Sequence, residues 1–563
     1  MTKQRLLGVV LAGLLAMVFV AMPGPVNAQN SSSAALAGQV SSQEEGNMEG
    51  VLVTARREGA KFTVTVVSDA QGKYSFPSNR LEPGQYSVAI RAAGYELEGP
   101  STVAVAAGRA SSLDLKLTKT ADLAYQLSNG EWLASFPGTH QQKEMFLNCV
   151  SCHTLERIAR SRYNAQQFAQ VVLRMSTYAQ GSTPLRPQRR LGDGDGMGAP
   201  TGNQNERALR LGEYAATINL SSTSKWQYPL KTLPRPSGKG TRVIITEFDL
   251  PRPETLPHDA ILDKEGMVWY GDFGSQYLGV LNPKTGEIKE YPIPLTKPGA
   301  ATGFLDMNFD PDGNIWLGMM MQGVMQRFDP RTGTFQSWKN PKFDQGDAAR
   351  TAMVTPTRMN VDGKVWVGAD EEYQVDVASG EWVAIDYKKG RSPSEPNYND
   401  RIGSYGVAVD SQNNFYGLNL GGTHVTRVDA KTMNARPFRT PTADSGPRRG
   451  HMDPQDRLWF AQFRGNNIGM FDTKTEQFKE YPMSIEWTNP YDAISDRAGF
   501  AWGGGMTNDY VGRVNTQTGE TMMYLLPGTT NIRRVDVDNA TNPPSFWVGD
   551  NLGATLLKVE PLE

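Results

Sequence analysis

An aromatic residue returns seven times through the C-terminal half of the chain, at Trp269, Trp316, Trp366, Tyr416, Trp459, Trp502 and Trp547. The intervals are 47, 50, 50, 43, 43 and 45 residues. Full or partial forms of one phrase, Asp-x-x-Gly-x-φ-Trp with φ apolar, end on these anchors: Asp263-Lys-Glu-Gly-Met-Val-Trp269, Asp310-Pro-Asp-Gly-Asn-Ile-Trp316, Asp453-Pro-Gln-Asp-Arg-Leu-Trp459 and Asp496-Arg-Ala-Gly-Phe-Ala-Trp502. An apolar strand follows each, often with a turn such as Asn282-Pro-Lys-Thr-Gly286 and an outer strand such as Ile288-Lys-Glu-Tyr-Pro292. Four short strands per repeat of this length make a β-propeller blade, which buries its faces only by stacking on its neighbours. Seven anchors predict seven blades over residues 241–563. The last repeat runs out near Val559, before an outer strand, and Thr241 to Pro251 reads as that missing strand. Pairing it with the last blade closes the ring and removes the open edge.

Residues 35–118 read differently. Short alternating segments, Val51-Leu52-Val53-Thr54 and Phe62-Thr63-Val64-Thr65-Val66, are divided by turn signals such as Asp69-Ala70-Gln71-Gly72 and Glu82-Pro83-Gly84. They predict a small antiparallel β-sandwich. The order Gly-x-Val, Asp-x-x-Gly-x-Tyr-x-Phe, Pro-Gly-x-Tyr-x-Val and Ala-Gly-Tyr resembles the carboxypeptidase regulatory-like (transthyretin-like) family. That resemblance implies a binding or spacer module.

The only two cysteines lie in Cys149-Val150-Ser151-Cys152-His153. Cys-x-x-Cys-His is the attachment signature of a c-type haem, with two thioether links and the histidine as proximal iron ligand. A zinc site needs further Cys or His nearby, and the closest, His140, precedes the motif. A redox dithiol needs a βαβ context that the flanks lack. One covalent haem c, held by Cys149 and Cys152 with His153 on the iron, is therefore expected.

Between residues 121 and 222 the pattern is helical. Asn164 to Tyr178 carries Phe168, Val171, Val172 and Met175 at helical spacing, with Asn164 as N-cap. Asn205 to Leu220 predicts a second helix, and residues 181–204 a Gly/Pro/Arg-rich loop. Helix, haem motif, helix, loop and closing helix resemble a small class I cytochrome c domain. The second iron ligand is then a methionine, whose thioether raises the potential. Met175, at a helix end in a setting like the ligand segment of a common bacterial cytochrome group, is favoured over Met197 in the loop Gly194-Asp195-Gly196-Met197-Gly198. Arg157, Arg160 and Arg162 are candidates for the propionates, although surface solvation explains them better. The fold class expected is a mainly β multidomain chain: a β-sandwich, a helical cytochrome c domain and a seven-bladed propeller.

The N-terminus agrees with a haem made after export. Lys3 and Arg5 precede an apolar run from Leu6 to Met22, and Val26-Asn27-Ala28 is a small-residue exit. This predicts a signal peptide over residues 1–28, a mature chain starting near Gln29 and a periplasmic location. No other stretch is long and apolar enough to span a bilayer. The net charge of −2 becomes −4 without the two basic residues of 1–28, which is no nucleic-acid footprint.

The repeat also resembles virginiamycin B lyase, a streptogramin-opening enzyme. That resemblance implies an axial site with Mg²⁺ on carboxylates and a histidine that transfers a proton. His258 and Asp272, 14 positions apart, fit the family's spacing, and His258 is the catalytic candidate with Asp272 as metal ligand. The family's further carboxylate is Leu256 here. The places equivalent to His258 in other blades hold Leu305, Thr355, Tyr405, Arg448 and Tyr491, and His451 is three positions off. Half the lyase constellation is missing. Arg448, Arg449, Arg533 and Arg534 enter inner strands and suit an anionic ligand, or else form a solvated rim. Met319, Met320 and Met321 are read as packing around the axis.

Three functions follow. In the first, an exported haem oxidoreductase binds a small molecule in the propeller funnel and passes single electrons to a redox partner protein or quinone-linked carrier. In the second, the propeller is a metal-assisted lyase. In the third, a binding propeller rides on a carrier cytochrome. The propeller holds no cysteine and no recognisable quinone-cofactor motif of its own.

Overall fold

The computed structural model describes residues 34–99, 101–190, 202–221, 223–345, 350–368 and 371–563. The expected signal peptide, Met197 and its glycine loop lie outside them.

Beyond residue 242 the chain forms seven four-stranded antiparallel meanders. Six are separate sheets, whose inner strands are Pro257–Leu262, Asp306–Phe309, Met353–Thr355, Gly406–Val409, Pro447–Met452 and Pro490–Ser495. The seventh blade runs through Ile532–Asp538, Ser545–Asp550 and Thr555–Pro561, and Val243–Asp249 completes it in antiparallel register, with Ile245 opposite Val559. Each inner strand contacts the next, and Ile532–Asp538 returns against Pro257–Leu262, so the ring is closed.

The repeated phrase has a physical cause. Asp310 Oδ1 accepts from the amides of Asp312 and Asn314, fixing the turn, while Oδ2 accepts the Trp316 indole N–H at 2.9 Å. Asp453 with Trp459 and Asp496 with Trp502 repeat this, and Asp410 takes the Tyr416 hydroxyl at 3.0 Å. One carboxylate thus ties the hairpin to the indole that packs between blades, and Trp502 stacks on Phe546 of the next blade at 5.0 Å. Trp366 lacks the aspartate and donates to the Asn413 carbonyl instead. Asp496→Ala removes three hydrogen bonds to a buried charge. We expect it to cost the propeller about 3 kcal/mol, read as a lower urea midpoint of the full chain at unchanged slope.

The small β domain is not a free module. Val243–Asp249 pairs on its other side with Phe62–Val67, Ile244 opposite Val66, so one eight-stranded sheet runs from the propeller's last blade into the sandwich. The closing strand pairs with the last blade as expected and lies inside a larger sheet. Its far side carries the second domain, which covers the unpaired groups equally well. Ile244 enters the sandwich core. Arg80 holds Glu560 through two 3.0 Å bonds, Arg56 pairs with Asp249, and Arg91 reaches buried Asp509 at 2.6 Å.

The segment between the two β units is helical. Helices Asn129–Ser135, His140–Glu144, Glu156–Ala159, Ala165–Met175 and Gly202–Ile218 surround the cysteine motif, of which Cys149–Ser151 forms a 3-10 turn. Asn164 caps its helix in a capping box with Gln167. Only Phe168 and Ala169 of that helix are buried. Val171 and Val172 are half-buried, and Met175, its last residue, is 39% exposed.

This helical unit sits on the propeller's mouth. Leu127, Trp132, Val150 and Leu155 share a core with Phe463, Trp487, Tyr491 and Met506. His140 stacks on Trp487 at 4.4 Å. The Gly130 amide donates to the Thr507 carbonyl at 2.5 Å, and a Cβ on Gly130 would stand 2.6 Å from Asn508 Cβ. On the opposite rim Gln188 grips Gly274 and Thr302. A Cβ on Gly181 would lie 2.1 Å from the Phe273 carbonyl oxygen, so only glycine permits this approach.

Candidate functional site

Four inner strands carry a β-bulge at the mouth, each with one residue more than its partner strand. The bulges fall between Pro257 and Asp259, Pro447 and Gly450, Pro490 and Ala493, and Ile532 and Val535. A bulge breaks the two-residue alternation of a strand and re-aims side chains. The residues inside them are His258, the pair Arg448 and Arg449, the pair Tyr491 and Asp492, and the pair Arg533 and Arg534.

These residues build two layers. In the deeper one, Arg449 bridges Asp259 and Asp306, and Arg534 holds Asp306 at 2.6 Å and Asn308 at 2.6 Å. The same aspartates staple the ring. Asp259 accepts the Met307 amide of the next blade, and Asp306 accepts that of Val354. Burial pushes both carboxyls up, and the arginines counter it. His451 bonds Asp492 at 2.9 Å.

The upper layer is aromatic and cationic. His258 is fully buried, with Nδ1 2.5 Å from Asp259 and Nε2 3.0 Å from the Tyr491 hydroxyl. Burial, with the charges of Arg533 and Arg449, drives its pKa well below the ordinary value. Tyr491 in turn bonds the Tyr405 hydroxyl. The Arg448 guanidinium lies 4.0 Å from the Tyr491 ring centre and 5.1 Å from that of Tyr405, and Arg533 lies 5.0 Å from Tyr491. Burial pushes the Tyr405 hydroxyl up, but Arg448, Arg533 and the Tyr491 bond outweigh it and lower its pKa. None of the four arginines is a solvated rim: they are 8%, 2%, 3% and 7% exposed.

The cysteine motif lies against this layer. Asn531 donates to the Val150 carbonyl at 3.1 Å, and Cys149 packs in the cluster of Tyr491, Tyr405 and Met506. Both thiols are free and half-buried. Burial and the neighbouring Cys152 push the Cys149 thiol up to about 12. Cys152 is also raised by burial, but feels the Arg533 charge in the opposite sense. His153 donates from Nδ1 to the Thr154 carbonyl at 2.9 Å, which fixes the tautomer and leaves Nε2 with its lone pair. Burial lowers its pKa, favouring the neutral, metal-ligating form. The donors present fit a c-type haem: two unpaired thiols three apart and an oriented imidazole. Met175 belongs to no core cluster, so packing does not explain it. Arg160 pairs with Glu156 and Asp122 and lies over Tyr125, so it is engaged elsewhere, while Arg157 and Arg162 are exposed.

A Mg²⁺ site of the lyase kind does not fit. Asp272 is buried, accepts from the amides of Leu256, Gly274 and Ser275, and pairs with Arg252 at 2.9 Å. Burial raises its pKa and these partners counter it. Its oxygens are committed, as are both nitrogens of His258. Among the described residues no group of three His, Cys, Asp or Glu side chains is arranged to hold a metal ion, and no helix is long and apolar enough to cross a membrane. Met319, Met320 and Met321 are buried.

Sequence reading picked His258 and the four arginines but missed Tyr405 and Tyr491 as their partners. Their signal was present: Tyr405 and Tyr491 stand at the aligned place that holds His258 and Arg448, and Pro257, Pro447 and Pro490 open three of the bulged strands.

Residues 35–118 match the family model of the carboxypeptidase regulatory-like domain. No curated protein matches the chain. Similar solved structures include a selenomethionine-substituted virginiamycin B lyase from Staphylococcus aureus, at 18% identity over 56% of this chain and 98% of that one, TM-score 0.46. A streptogramin B lyase has 18% identity over 58% and 100%, TM-score 0.47, and a mitotic checkpoint complex 11% over 56% and 91%, TM-score 0.43. The chain thus carries a carboxypeptidase regulatory-like domain at residues 35–118 and, by its own strand pairing, a seven-bladed propeller beyond residue 242.

Proposed function

We propose that the chain is an exported c-type haem protein that moves single electrons between a small molecule bound at the propeller mouth and an external carrier. The observation that carries this reading is the seating of Cys149-Val150-Ser151-Cys152-His153 on the propeller's buried Arg/Tyr layer, with His153 Nε2 left free to ligate. A fused donor and acceptor need no diffusional encounter, which fixes the transfer distance.

When bound, the haem supplies a one-electron couple. Cys149 and Cys152 hold it covalently, and His153 ligates through Nε2. Met175, or Met197 in its place, would supply a thioether ligand, which would raise the potential. The chain Tyr405, Tyr491, His258 is hydrogen-bonded throughout and would orient the two tyrosine hydroxyls at the mouth. The electron leaves to a redox partner protein or a quinone-linked carrier. Export through residues 1–28 to the periplasm belongs to this reading, since the thioether links form there.

The test is the absorption spectrum of the full chain made in a host with c-type maturation. A Soret band that sharpens on reduction, a mass raised by one haem and an N-terminus near Gln29 are expected. Colourless protein with two alkylatable thiols overturns the proposal.

A further inference from the structure

Two buried cations in the mouth have no anion. Arg449 and Arg534 are neutralised by Asp259 and Asp306. Arg448 and Arg533, at 8% and 3% exposure, form no ion pair among the described residues. Arg448 Nη1 meets only the weak acceptor Met506 Sδ, at 3.2 Å, and its Nε is buried without an acceptor. Arg533 Nε donates to Asn531 at 2.6 Å and the guanidinium reaches the Tyr491 hydroxyl, but its Nη2 is buried without an acceptor. The two guanidinium groups repel each other, and burial together with Arg448 lowers the Arg533 pKa. Leaving charged donors dry and unpaired is strongly unfavourable unless something else completes them. Around them stand Tyr405, Tyr491 and Phe463, whose ring centre is 4.3 Å from Arg448.

We infer that Arg448 and Arg533 form a binding site for a carboxylate, carried on a small aromatic molecule, between the propeller mouth and the Cys149–Cys152 segment. A guanidinium presents paired N–H donors that match a carboxylate's two oxygens, and the flanking rings suit a planar body. The inference deepens the proposed function by naming its substrate class. Two sources share this chemistry: a free carboxylate and a haem propionate. Arg533 is close enough to Cys152 to influence its thiol. Vinyl and propionate groups occupy opposite edges of a porphyrin, so a site beside the thiols favours the free carboxylate.

Benzoate, with neutral benzamide as control, is titrated calorimetrically into the full-length holoprotein and into R448M and R533M. We expect benzoate to bind, benzamide not to, and each variant to bind about 10- to 100-fold more weakly, the worth of one charged hydrogen-bonding partner. R448K/R533K, which keeps charge without the fork, should fall between. The thermal midpoints of the Met variants should match or exceed wild type, because an unpaired buried charge has gone. No benzoate binding, with a haem midpoint potential that moves in both Met variants, assigns the site to a propionate and still supports a carboxylate pair. Unaltered binding and potential in both, or Met variants that melt well below wild type, overturn the inference. Calorimetry needs no haem, so protein that binds benzoate yet carries no haem rejects the proposed function while keeping the site.

Discussion

Full-length C149S/C152S, made where wild type is coloured, is expected to be folded and colourless. Its circular dichroism should match wild type in the β region, because the seven blades draw no stability from the thiols: neither cysteine lies in the propeller, and both are free. Loss of chromophore should be complete, since both covalent anchors go. His153→Ala is a milder lesion that keeps the thioethers and alters the spectrum by changing the iron's ligand. Met175→Ala and Met197→Ala separate the two candidate ligands. Only loss of the thioether that ligates should lower the midpoint potential, because that ligand holds it high. A coloured double serine variant would remove the basis of the haem assignment.

Arg449→Ala is expected to destabilise the propeller by about 3–5 kcal/mol, the usual consequence of breaking a buried ion pair from one side. Arg449 is 2% exposed, and its removal leaves buried Asp259 with no bonded cation, only the His258 ring and the Met307 amide, and Asp306 with Arg534 as its one cation. The loss should depend on pH. Burial already raises both carboxyls above their ordinary value, and without Arg449 they rise further. A carboxyl with a higher pKa folded than unfolded binds more protons when folded. Its penalty is therefore absent below the unfolded pKa, near 4, and grows as pH climbs through the folded one. The gap between variant and wild type in urea melts should be smallest near pH 4 and widen toward neutrality. A gap independent of pH would show that lost packing, and not an abandoned charge, sets the cost.

Legibility in the sequence tracks the range of the interaction. Trp316 and Asp310 lie six positions apart, and their hydrogen bond repeats inside single hairpins, so the blade count can be read along the chain. Val243–Asp249 was recognisable as the closing strand because the last repeat lacked one. That its other side pairs with Phe62–Val67 left no such trace, since nothing in that strand's alternation distinguishes a sheet edge from an interior position. The single-residue bulges left only a faint trace, the prolines that open three of their strands, because a bulge shifts which side chains point inward without changing composition. Asp272 shows the reverse failure. Its spacing from His258 suggested a metal ligand, but Arg252 and three backbone amides occupy it.

By itself the sequence determined the repeat, hence the ring of seven sheets, because it is written in contacts between near neighbours in the chain, and it displayed the Cys-x-x-Cys-His spacing on which the proposed haem rests. Tertiary structure alone decided that blades four to seven and the first blade bring Tyr405, Arg448, Tyr491, Arg533 and His258 to one place beneath that segment. Closure of the ring, not any local pattern, makes those residues neighbours, and dehydration at the covered mouth is what turns two ordinary arginines into cations in need of an anion.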